Sequence, residues 1–188
     1  MSRRFFELHD DVHVPGRWHL DAPTDSRGRE VKDPDRFRQG TPVHVKGRLR
    51  IPIEEPGRSL DFTEAGLRIP VVHVRVATLF SELAPEDVQL IPVDIEGHPD
   101  QYLLLVATRL IRCIDEKASR IQRWTHEDGV PEKVGQYAFV RGLRIDKSKV
   151  GDARVLRPEG WTGALIISEA LKTELERIQA TGVKLTEV

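Results

Sequence analysis

Residues 88–115, VQLIPVDIEGHPDQYLLLVATRLIRCID, form the strand-rich centre of the chain, and their reading decides the fold class. In the first half Ile91, Val93 and Ile95 alternate with Pro92, Asp94 and Glu96, the period of a strand with one face inward. In the second half the alternation disappears. Tyr102 to Ala107 is an uninterrupted apolar run, continued by Leu110, Ile111 and Ile114, which predicts a buried strand over 101–115. The only cysteine, Cys113, lies in this apolar setting and directly before Ile114, Asp115 and Glu116. Neighbouring carboxylates raise a thiol pKa, whereas a nucleophile needs it lowered, so Cys113 reads as a small buried hydrophobe.

Upstream, PVVHVRVATLFSELAPED (70–87) changes period. Val72, Val76, Leu79, Phe80 and Leu83 recur at helical spacing, predicting a helix near 73–84 that stops before Pro85. Further upstream, TPVHVKGRLRIPIEEPG (41–57) alternates, with Val43, Val45, Leu49 and Ile51 opposite His44, Lys46, Arg48 and Arg50. It reads as a half-exposed strand. RRFFELHDDVHV (3–14) reads as an N-terminal strand, and the Asp-, Gly- and Pro-rich 21–40 as turns. Downstream, QYAFVRGLRID and ARVLRP read as a pair of strands in an antiparallel meander. The last helix, near 169–180, is placed by Ser168 as its cap, Glu169 in its first turn and the stripe Leu171, Leu175 and Ile178. VKLTEV then reads as a closing strand. Strands outnumber helices without βαβ alternation, so the expected class is α+β with a largely antiparallel sheet. The whole of 1–188 is expected to be one domain, with a lobe boundary near 56–66 as the second reading.

The chain has 29 Lys and Arg against 30 Asp and Glu, a net charge of -1, and 6% aromatic residues. Nucleic acid is disfavoured, because neither a basic excess nor a supply of stacking rings is present. No apolar run approaches the ~20 residues of a membrane helix, and acidic residues interrupt the N-terminus before a signal-peptide core could form. With one cysteine, the expectation is a soluble cytoplasmic protein without a disulfide. Homo-oligomerisation is left open by the sequence.

Nucleotide-binding glycine loops and the serine elbow are missing. Three clusters invite a chemical reading. His9, Asp11 and His13 would share one side of a strand, as metal ligands can, although an exposed polar face explains them as well. Asp94 and Glu96 would also point together, as a carboxylate pair dividing acid and base roles does, yet a wet strand face gives the same pattern. Lys46, Arg48 and Arg50 form a basic stripe that suits an acidic partner or guards a strand edge. Trp18, Trp124 and Trp161 sit beside turns, where they pin loops to the core. Accordingly, no catalytic, cofactor or metal residues are assigned, and a binding or inhibitory role leads by elimination.

Several segments together resemble a known family: DFTEAG (61–66), PVVHVRVATLF (70–80), DVQLIPVDIEG (87–97), YLLLVATRLIRCIDEKAS (102–119), VGQYAFVRGLRID (134–146) and LIISEALKTELERIQATG (165–182). From about Trp18 to the C-terminus the chain is similar to bacterial immunity-protein family eleven, earlier catalogued as a domain of unknown function. Within it the chain looks most like an immunity protein paired with a type VI secretion effector. The resemblance implies a partner, a cognate toxin encoded nearby, and a protein that is not an enzyme. A small metal- or carboxylate-dependent hydrolase is the alternative. The family's motifs are structural, so they carry over no site residues.

Overall fold

The computed structural model describes residues 3–188. In chain order the elements are β1 (Phe5–Asp10), β2 (His19–Leu20), β3 (Leu49–Ile51), β4 (Ile53–Glu55), β5 (Phe62–Ala65), β6 (Ile69–His73) and α1 (Val74–Leu83). They continue with β7 (Val88–Ile95), β8 (Tyr102–Ala107), β9 (Leu110–Ile111), β10 (Arg120–Arg123) and β11 (Tyr137–Arg141). The chain ends with β12 (Val155–Pro158), β13 (Ile166–Ser168), α2 (Glu169–Arg177) and β14 (Val183–Glu187). The class is α+β.

Two five-stranded sheets organise these elements, one in the order β3-β7-β8-β6-β5 and the other in the order β14-β1-β13-β12-β9. Pairing is antiparallel except for β3 with β7 and β12 with β9, which are parallel. Neither sheet is the meander expected from the sequence. The N-terminal strand β1 lies between β13 and β14, so the second sheet joins the two ends of the chain.

Alternation in β8 explains why its sequence shows no polar face. Leu103, Leu105 and Ala107 enter a core shared with α1, α2, β1 and β13, while Tyr102, Leu104 and Val106 enter a second core beneath Trp18, Phe37 and Leu60. Both faces of the first sheet are therefore covered, and a strand with two dry faces has no polar period. The second sheet is treated likewise: Ile167 faces the helices, and Ile166 faces a third core holding Phe5, Cys113, Leu156 and Val188.

The apolar stretch 101–115 is not one strand. It leaves the first sheet after Ala107, turns at Thr108 and Arg109, and enters the second as β9. Buried Asp87 fixes this crossing. Its carboxylate accepts from the backbone N–H of Arg154 at 2.6 Å and of Val155 at 3.2 Å and from Arg109 Nη1 at 3.3 Å, and its carbonyl accepts from Thr108 N–H. One side chain thus ties the end of β8 to β12.

Helix α1 begins one residue after His73, whose Nδ1 accepts from Arg75 N–H as the N-cap, and it ends before Pro85 as the periodicity predicts. Helix α2 is shorter than the expected 169–180, because Gln179 turns left-handed at φ 51° and closes it. Ser168 occupies the N-cap position but does not cap. Its hydroxyl is buried without a hydrogen-bond partner, because the residue is still held in β13. The strand expected over 41–57 is confined to β3 and β4. Residues 42–48 lie outside any strand, and their anchor is Val43, whose N–H and C=O are bonded by the Gln89 side chain. Five strands were not visible in the sequence, β2, β5, β6, β10 and β13. Of these, β13 pairs with both β1 and β12, and β10 replaces ARVLRP as the partner of β11.

Candidate interaction surface

Among the described residues the β10–β11 hairpin pairs with no other strand. Its register places Ile121 opposite Val140 and Gln122 opposite Phe139, then slips by a bulge at Gln122/Arg123 so that Arg123 meets Tyr137. Pairs alternate sides, so Ile121, Val140 and Tyr137 rest on the third core, while Gln122 and Phe139 face away. The connection is closed locally. Trp124 and residues 135–136 continue the ladder, and Asp128 accepts from both the N–H and the hydroxyl of Thr125, which holds its carboxyl below the usual range.

The outward side is aromatic beneath cations. Phe139 is 37% exposed, and Arg141 lies 4.9 Å from its ring centroid. The Lys133 ammonium stands 5.1 Å from the Trp124 ring, and on the opposite, groove side the Arg123 guanidinium lies 4.6 Å from the Tyr137 ring centroid. A shallow hollow of about 480 Å³ lies among Gln122, Trp124, Asp128, Ala138, Phe139 and Arg141. Trp124 therefore belongs to an outer surface and pins no loop to a core, unlike Trp18, which is buried and donates from Nε1 to Thr63 Oγ1 at 2.9 Å.

Beside the hairpin runs a groove of about 750 Å³ between β10–β11 and the turn at 146–149, with Ile114 and Tyr137 lining it and charges of both signs along it. Glu116 accepts from Tyr137 Oη and Arg123 Nη2, each at 2.6 Å. These bonds, the tyrosine first, lower its pKa. Gly160 allows this geometry, because a Cβ there would sit 2.9 Å from the Tyr137 ring. Asp115 and Asp146 spend oxygens on their own turns, accepting from the N–H groups of Lys117, Ala118 and Ser148. The groove is thus pre-organised, with Lys149 3.5 Å from Asp146 and the side chains of Arg112 and Lys117 also lining it.

The clusters weighed from sequence fare differently. Strand β1 stops at Asp10, so His9, Asp11 and His13 do not share a strand face. Asp11 instead accepts from the His13 N–H in a local turn, and His9 lies 3.4 Å from Glu7. Asp94 is exposed on β7 and ion-paired with Arg48 at 2.8 Å, and Glu96 falls beyond the strand end. Arg48 is thereby removed from the basic stripe, of which Arg50 alone lies in a strand. Cys113 is fully buried, and burial pushes its thiol up to about 11. The hairpin surface was missed because its marks, a tryptophan, a phenylalanine and a tyrosine spaced among arginines, are also those of an ordinary half-buried strand.

A family sequence model described as the immunity protein family Imm11 matches residues 3–188. The chain belongs to the Imm11 immunity protein family. The match begins well before Trp18, where the segment-by-segment resemblance starts, and takes in β1. That agrees with the topology, since β1 is an interior strand of the second sheet. No curated protein is significantly similar to the chain in sequence.

Proposed function

We propose that this Imm11 protein neutralises a cognate toxin by stoichiometric binding, without turning over a substrate, and that the outward face of the β10–β11 hairpin with its neighbouring groove is the contact surface. The observation that carries the surface is the hairpin itself: a two-stranded ribbon with Phe139 and Trp124 set under Arg141 and Lys133 on its outward side, and Tyr137 under Arg123 in the groove. Aromatic and arginine side chains dominate interface energetics, and mixed charge around them supplies register. The resemblance to an immunity protein of a type VI secretion effector supports a cytoplasmic encounter with an incoming toxin. No helix among the described residues is long and apolar enough to cross a membrane.

Co-expression with the product of the adjacent gene tests the pairing, and titration tests the mechanism. A tight occluding complex removes toxin activity linearly until the two proteins are equimolar. Phe139→Ala and Trp124→Ala should each weaken the complex by at least tenfold while leaving the fold intact, as expected when a hot-spot side chain worth over 1 kcal/mol is truncated. Protection at a small fraction of the toxin concentration would instead indicate turnover, and Asp94→Asn would then be the variant to assay.

A further inference from the structure

On the far side of β12 from the hairpin, Arg157 is 1% exposed, yet only one of its guanidinium nitrogens is bonded. Nη1 donates to the carbonyls of Thr162 at 3.0 Å and Gly163 at 3.2 Å, whereas Nε and Nη2 are buried without a partner. Burial first, and then the charge of Arg38, push the Arg157 pKa down to about 9. A buried cation with idle donors is among the costliest arrangements a fold can hold, and an oxyanion bonded to the fork is its usual remedy.

Two more guanidinium groups converge on the same backbone. Arg38, at the end of the 3-10 turn Pro34–Arg38, uses Nη2 on Asp35 and has its Nε buried and unpartnered. Arg68, held at φ 65°, uses Nε on Glu64. The Nη1 atoms of Arg38 and Arg68 each lie 4.0 Å from where a Cβ on Gly163 would stand, with nothing closer. The absent side chain of Gly163 leaves a gap flanked by two free guanidinium ends, and Nη1 of Arg157 is bonded to the Thr162 and Gly163 carbonyls beside it. The gap is reachable, since the Arg68 side chain is 49% exposed and Gly163 itself is half-buried.

We propose that Arg38, Arg68 and Arg157 form a binding site over Gly163 for one small oxyanion of the phosphate or carboxylate class. This goes beyond toxin neutralisation and does not depend on it. The site draws on the β5–β6 turn of the first sheet, strand β12 of the second sheet and the 34–38 turn, so occupancy would also tie these parts together.

Thermal unfolding of the full chain without toxin, at fixed ionic strength, tests it. Sodium phosphate and sodium acetate are each titrated against sodium chloride, with calorimetry giving the stoichiometry. The expected result is a saturable rise in Tm with one of the two anions at one site per chain, since a ligand that binds only the folded state stabilises by mass action. Gly163→Asp places a carboxylate in the gap, so it should raise Tm in chloride alone and abolish the anion response. Gly163→Leu, which fills the gap without charge, should abolish the response without that rise. An unsaturable or absent response in the parent chain, as for a water-filled gap, overturns the proposal. A response that survives in both variants overturns it too, because the anion then binds elsewhere.

Discussion

Cys113 shows how burial settles chemistry at the scale of one residue. Its thiol is fully enclosed with Ile114, Leu143, Ile145 and Leu156, and its pKa is pushed up to about 11. Alkylating reagents should leave it untouched in the native protein and label it on unfolding. Cys113→Ala should cost about 1–3 kcal/mol in denaturant melts and leave toxin protection unchanged. Glu64 carries a pH signature. Burial raises its carboxyl pKa, against the opposing pull of Arg68. A carboxyl whose folded pKa lies above its unfolded value contributes stability below the unfolded pKa and loses it as pH rises through the folded one. Glu64→Gln should therefore match the parent chain in acid, below the ordinary glutamate range, and exceed it at neutral pH. Equal pH dependence of the two melts would refute this.

At the scale of elements, amphipathic helices are the most legible and strand partners the least. The stripe from Val76 to Leu83 and the proline after it fix α1 locally, so sequence places it within a residue. Strand β10 is different, because RIQR has no strong period and exists as a strand only through β11. A two-stranded ribbon resting by one face on a core is the least protected unit of such a fold. Amides of 120–141 should exchange with deuterium faster than those of β8, which is buried on both sides. Binding of the cognate toxin should slow the hairpin amides selectively. Uniform protection across the chain would argue against the hairpin as the contact.

For the whole molecule, Asp87 joins the end of β8 and the start of β12, and with them the two sheets. Asp87→Ala strands the buried Val155 N–H, at a cost of about 1–3 kcal/mol for an unpaired buried group, and the partly buried Arg154 N–H. A drop in denaturation midpoint without lasting loss of secondary structure is the expected readout. The three cores share strands, since β8 feeds two of them and β13 feeds two. One cooperative domain is the expectation that follows. Single-tryptophan variants reporting from Trp18 in the second core and Trp161 beside the third should melt together. Two separate transitions would instead favour the division into lobes near 56–66.

Read without any partner, the chain carries its class, α+β, its two helices, the inward-facing Ile91, Val93 and Ile95 of β7, the buried character of β8, the closing strand and the immunity family. Each of these rests on local periodicity or on a linear pattern of residues, which needs no partner to be read. Tertiary structure alone decided that 101–115 bends between two sheets, that β1 threads between β13 and β14, and that β10 pairs with β11. It also broke up the histidine triplet, paired Asp94 with Arg48, and gathered Arg38, Arg68 and Arg157 around Gly163. The physical reason is the same in each case. Hydrogen-bond register and ion pairing join residues up to about 180 positions apart, as between Phe6 and Glu187, and no period along the chain encodes which distant strand or charge will arrive.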